Sequence, residues 1–189
     1  IGVKHSYALA EHVKAGGGLL VTGGEYAFGK GKYPYTVLDR ELLPVISIET
    51  VDGRYVQEPL HFEAGKDLGE LGVELDLSAR PAFWCWNEVA VRPGADVKVF
   101  LKSGNRPVLV GWELGKGRVA CFLPMHRGKS ERGVTAFFDW EDWPRLTAAV
   151  LHWLAPRAYE QDAASHRALS EKELAELRKQ FEGRAMEDM

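Results

Sequence analysis

The chain has 189 residues, 24 basic against 27 acidic side chains, and 46% hydrophobic residues. That length can bury a core, and a net charge of −3 excludes a chain built to neutralise nucleic-acid phosphates. Its longest uncharged stretches run to about ten residues, where a membrane-spanning helix needs about 20.

The charge is unevenly placed. Residues 1–159 hold 19 basic and 19 acidic side chains, while 160–189 hold 5 and 8, so the imbalance belongs to the tail. Two domains are expected on that basis, a neutral block over 1–159 and an acidic tail over 160–189. Cys85 and Cys121 are too few for a disulfide scaffold and lack Cys-x-x-Cys spacing. Two separate buried thiols are expected, with a bridge between them as the alternative. The chain opens Ile1-Gly2-Val3, without an initiator Met or a signal-peptide pattern. It reads as processed or cut from a longer polypeptide. A cytoplasmic location is favoured, and the compartment stays open.

In chain order, Val3, Tyr7, Ala10 and Val13 recur near the helical period, which predicts a helix over 3–15 closed by Gly16-Gly17-Gly18. Leu19-Leu20-Val21-Thr22 is apolar without alternation and suits a strand buried on both faces. Residues 25–36 read as loop, and 37–43 as a short helix before Pro44. Ile46–Val51 and Tyr55–Gln57 flank Asp52-Gly53, a pattern that predicts a hairpin. Residues 61–82 give no clear pattern. Three β segments follow over 97–101, 108–113 and 118–123, with turns at Asn105-Arg106-Pro107 and Gly115-Lys116-Gly117. A helix is expected from Asp142, with Pro144 in its first turn and Leu146, Val150, Trp153 and Leu154 as its apolar stripe. In the tail, Ser170-Glu171-Lys172-Glu173 fits a capping box, with Leu174, Leu177 and Phe181 on one face of a further helix.

The run from Val13 through Gly16-Gly17-Gly18, Gly23-Gly24 and Ala27-Phe28-Gly29 to Leu43-Pro44-Val45 resembles the putative glutamine amidotransferase-like family, a branch of the class I glutamine amidotransferase superfamily. Gly115-Lys116-Gly117-Arg118-Val119 and the closing Trp143-Pro144 and Trp153-Leu154 are similar to it as well. The trehalose-utilisation (ThuA-like) proteins share the helix, glycine and strand entry. The resemblance implies an α/β fold: a flavodoxin-like three-layer α/β/α core with an antiparallel β extension and a C-terminal helix. It also implies βα units ahead of the Gly-Gly-Gly helix. Almost nothing precedes that helix here, so a partner segment or a second copy is expected to complete the core.

An active class I amidotransferase needs a cysteine on the turn after a central strand, where a helix N-terminus lowers its pKa. At Thr22-Gly23-Gly24-Glu25 that turn carries glycine, and no Glu stands two residues after His126 to orient it. The expectation is therefore a pseudoenzyme, an amidotransferase-like domain that binds a ligand or a protein. Gly23, Gly24, Tyr26 and Phe28 are the candidate ligand-binding residues, for a small molecule or carbohydrate. The rival expectation is a hydrolase of the trehalose-utilisation type, with Glu25 and His126 as its acid–base pair. Tyr26, Phe28, Tyr33 and Tyr35 crowd the same loop and either stack on a ring or cover the sheet. Gly24…Gly29-Lys30 has P-loop spacing, but Gly31 replaces the Ser/Thr and Pro34 follows, so no nucleotide is expected. His5, His12 and His61 give no metal spacing, and neither a metal nor a cofactor is expected. The Trp84-Cys85-Trp86 run and the pair Trp140 and Trp143 are expected in the core or an interface.

Overall fold

The structure, a computed structural model, describes residues 3–155. Helix α1 (Val3–Lys14) ends where expected. Gly16 sits at φ 124°, a backbone that only glycine holds easily, and the amides of Gly16 and Gly17 close on Val13 and His12. The chain then enters β1 (Gly18–Thr22), which is half-buried rather than buried on both faces as expected, because it stands at the end of the sheet among the described residues and pairs with β9 alone. After a turn-rich loop comes a single π-helical turn (Leu38–Leu42), then β2 (Val45–Ser47), β3 (Gly53–His61) and β4 (Glu63–Ala64). Residues 65–81, unreadable from pattern, carry two 3₁₀ turns, Leu68–Leu71 and Leu77–Ala79. Strands β5 (Ala82–Asn87), β6 (Val89–Val91), β7 (Lys98–Ser103), β8 (Arg106–Leu114) and β9 (Gly117–Phe122) follow, then a 3₁₀ turn (Phe137–Asp139) and α2 (Trp143–Leu154).

The main sheet has five strands in the order β1-β9-β8-β7-β4. Only β1 and β9 run parallel, in register from Gly18 opposite Arg118 to Thr22 opposite Phe122; the other pairs are antiparallel. Along β9 the side chains divide with period two. Ala120 and Phe122 join the apolar cluster that includes Leu146, Val150, Trp153 and Leu154 of α2. Val119 and Cys121 join the opposite cluster with Ala10 and Val13 of α1. Helix, sheet and helix are thus stacked in three layers, an α/β core continued by antiparallel strands. Each fully buried Leu or Phe in these clusters contributes about 1.5–3 kcal/mol. Cys85 and Cys121 are free and buried.

The expected hairpin over 46–57 does not form. β2 pairs with β6, and β3 pairs with β5, each as a separate two-stranded sheet. Asp52 is fully buried, and its carboxylate accepts the amides of Gly29 and Lys30 at 3.1 and 3.4 Å. A carboxylate committed to a distant loop cannot sit on a solvent-facing hairpin tip, so long-range hydrogen bonds override the local Asp-Gly preference. The described residues belong to one compact unit, and the helix expected in the tail lies outside them.

Candidate functional site at the carboxyl ends of the parallel strands

β1 and β9 deliver their chains side by side. The Gly23 amide donates to the Phe122 carbonyl at 2.6 Å, and Asn87, at the end of β5, donates its backbone amide to Leu123 at 3.1 Å. Three segments therefore meet here: 22–30, 86–88 and 122–127. In α/β folds this is the end of the sheet where ligands bind.

A Cβ built on Gly23 would stand 2.2 Å from the Leu123 carbonyl oxygen and 2.8 Å from that of Pro124. Backbone fills the space that a side chain would need. At Gly24 the same test finds open space, with no atom within 4 Å. The side chain of Asn87 holds Gly24 and reaches Asp52 at 3.2 Å, and both polar residues are almost completely buried, at 1% and 0% exposed. Together they set the loop from Gly24 to Lys30. Neither was legible as functional: Asp52 reads as a turn residue and Asn87 as the polar end of an apolar run. The one available signal is that Asn87 breaks the hydrophobic series begun at Ala82.

Phe28 takes the sheet-covering one of its two expected roles. It is fully buried, in left-handed backbone at φ 46°, with its ring 5.6 Å from that of Tyr33. It covers the sheet and leaves no ring face for a ligand. Tyr26, by contrast, is 74% exposed, and Lys30 stands over its ring at 4.7 Å. Glu25 pairs with Lys30 at 2.9 Å, and that hydrogen bond, backed by the charge of Lys30, holds its carboxyl below the usual range. It is an ionised, solvated acid rather than a proton donor at neutral pH. Arg127 adds its charge to Glu25 and donates to the Tyr55 hydroxyl at 3.3 Å.

His126 sits in a different setting. Its ring stacks on Phe138 at 5.7 Å and meets the edges of Phe137 and Trp143 at 4.9 and 5.8 Å. With Thr22, Phe122, Trp143 and Thr147 it lines an apolar pocket of about 120 Å³. Asp139 accepts the Ser130 hydroxyl, and Asp142 accepts the Asp76 amide and Arg145; neither carboxylate has His126 as a hydrogen-bond partner. Glu25 and His126 thus have separate contact sets, the first polar and the second aromatic. Burial pushes both cysteine thiols up, Cys121 most strongly. Among the described residues no three His, Cys, Asp or Glu side chains gather as a metal-ligand set, and no helix is long and apolar enough to cross a membrane.

The sequence profile of the family described as "Putative glutamine amidotransferase" matches residues 5–156. Among solved structures, the chain is similar to the cytoplasmic protein STM3548 of Salmonella typhimurium, at 28% identity and a TM-score of 0.69, over 83% of this chain and 63% of that one. It is also similar to the cytoplasmic protein STM1381 of Salmonella typhimurium LT2, at 25% identity and a TM-score of 0.64, over 80% and 60%. The chain therefore spans somewhat under two thirds of the length of each of these proteins. Comparison with functionally curated proteins gives no match. With a profile that covers nearly all of the described fold, from within α1 through the parallel β1–β9 pair to α2, the chain belongs to the putative glutamine amidotransferase family.

Proposed function

We propose that this amidotransferase-like domain is non-catalytic and serves as a ligand-binding module, with the ligand seated over the Gly23-Gly24 turn. The observation that carries the reading is the contact at Gly23, where the Leu123 carbonyl occupies the place of a Cβ. A thiol nucleophile cannot be carried at that position. The cysteines the chain does hold are sealed, and a raised pKa keeps them as inert thiols.

The ligand class that suits the turn is a small polar molecule such as a carbohydrate. Exposed Tyr26 and Tyr55 offer ring faces, and Glu25 offers an acceptor for hydroxyl groups. β1 pairs with β9 on one side and with no other strand among the described residues. The reading therefore includes a further segment or a second copy of the chain that completes the sheet there. The two Salmonella proteins are titled cytoplasmic, and the same location is proposed for this chain.

The test is glutamine hydrolysis by the purified full chain, followed as ammonia release, beside a Cys85→Ala/Cys121→Ala variant. No turnover above the blank is expected from either. Hydrolysis that disappears with the cysteines overturns the reading, and so does hydrolysis that survives their loss. The trehalose-utilisation alternative is separated by assaying glycoside hydrolysis in Glu25→Gln and His126→Gln. A joint requirement for both side chains would establish it.

A further inference from the structure

A second cleft, of about 600 Å³, lies between the end of β3, the 3₁₀ turn at Leu77–Ala79 and the β7–β8 turn. None of its lining residues belongs to the Gly23-Gly24 turn. Pro59, Leu60 and Leu77 give it an apolar lining, with the core residue Phe62 beside them. Arg80, Arg106, Ser103, His61 and Glu63 supply its polar groups. The volume falls in the range of small-molecule sites.

The polar groups divide into satisfied and available. Glu63 is engaged, by Lys102 at 3.6 Å and by the Gly104 amide at 3.0 Å. His61 meets the Arg80 carbonyl through Nδ1 at 2.8 Å; a carbonyl only accepts, so Nδ1 carries the proton. The guanidinium of Arg80 has no partner among the described residues. Arg106 lies 5.3 Å over the Trp86 ring, which holds it in place. Its one acidic neighbour, Glu88, is 3.9 Å from Nε and already accepts the Trp86 indole N–H at 2.9 Å. Ser103 is only 6% exposed, and its hydroxyl finds no partner among the described residues. Arg80 also holds φ 49°, a left-handed backbone that costs a non-glycine residue energy and recurs at ligand-binding positions.

We propose that this cleft binds a small organic anion: a carboxylate or phosphate ester carried on an apolar body. The guanidinium groups of Arg80 and Arg106 take the charge, the Ser103 hydroxyl donates to one anionic oxygen, and the apolar body lies on Leu60 and Leu77. Guanidinium suits this role because its planar fork of N–H donors matches the oxygens of either group. The site is separate from the one under the proposed function, and neither depends on the other.

The experiment is titration calorimetry of the full chain with benzoate, phenyl phosphate and benzyl alcohol, which share a ring and differ in charge. At least one anion is expected to bind one-to-one, with benzyl alcohol weaker by about tenfold or more. Which anion binds more tightly assigns the headgroup. Arg106→Gln and Arg80→Gly should each weaken the anion about tenfold. Arg80→Gly suits the left-handed backbone, so it removes the charge without loss of fold, and an unchanged or raised Tm checks this. The proposal is overturned if neither anion binds at about 10 mM, if benzyl alcohol binds as well as the anions, or if both variants bind undiminished.

Discussion

Asn87 grips the peptide of Gly24 from both ends, accepting its amide at 2.9 Å through Oδ1 and donating Nδ2 to its carbonyl at 3.2 Å. The same Nδ2 donates to Asp52, whose carboxylate takes the amides of Gly29 and Lys30. One buried side-chain pair thus sets both ends of the loop that carries Glu25 and Tyr26. A network of this kind is costly to leave half-satisfied, because the low-dielectric interior offers no water as a substitute.

Asn87→Leu is accordingly expected to lower the free energy of unfolding by about 3 kcal/mol: three hydrogen bonds go, a buried Asp52 oxygen loses a partner, and the half-buried Gly24 loses both of its own. Urea denaturation measures it. A loss below about 0.5 kcal/mol would mean that water replaces the side chain and that the pair does not hold the loop.

The two glycines of the turn should behave oppositely. Gly23→Ala drives a methyl into the Leu123 carbonyl, a backbone atom that cannot swing aside, and a loss above about 3 kcal/mol is expected. Gly24→Ala enters open space and should stay within about 0.5 kcal/mol of the parent. Thermal denaturation of both variants decides this. Equal penalties would remove the argument that backbone crowding excludes a nucleophile at position 23.

What the sequence made legible follows the range of the forces involved. The helix before Gly16, the strand over Leu19–Val21, the β7–β9 meander and the stripe Leu146, Val150, Trp153 and Leu154 are local patterns, and each element lies where it was expected, although Leu19–Val21 is half-buried rather than buried on both faces. Asp52-Gly53 was misread because its partners stand 22 to 35 residues away, at Lys30, Gly29 and Asn87. For Phe28 stacking and covering both stayed open for the same reason: nothing local shows that its backbone turns the ring inward. The second cleft draws on β3, a 3₁₀ turn and the β7–β8 turn, and no spacing rule joins Arg80 to Arg106.

The cysteines give a prediction about reactivity. Desolvation pushes Cys121 and Cys85 above the ordinary thiol range, so thiolate is scarcer in the folded chain than in the unfolded one. At about pH 8 both should resist a thiol-exchange reagent in the native protein and react together once urea unfolds it. Labelling counted by mass spectrometry checks this. Fast native labelling of either residue would reopen the question of a thiol nucleophile.

Asp142 supplies the pH dependence. The Asp76 amide at 2.7 Å, and after it Arg145 at 2.8 Å, hold its carboxyl below the ordinary value of 3.8. A group whose folded pKa is depressed binds fewer protons folded than unfolded across the window between the two values. Its stabilising contribution is therefore complete above the unfolded value and is lost as pH falls through the folded one. Asp142→Asn keeps an acceptor for the Asp76 amide but removes the charge. The stability gap between parent and variant should be constant near neutrality and narrow below about pH 4. Urea midpoints across that range measure the gap. One that stays level as the acid is protonated would show that the charge of Asp142 contributes nothing where the 3₁₀ turn at Leu77–Ala79 meets the start of α2.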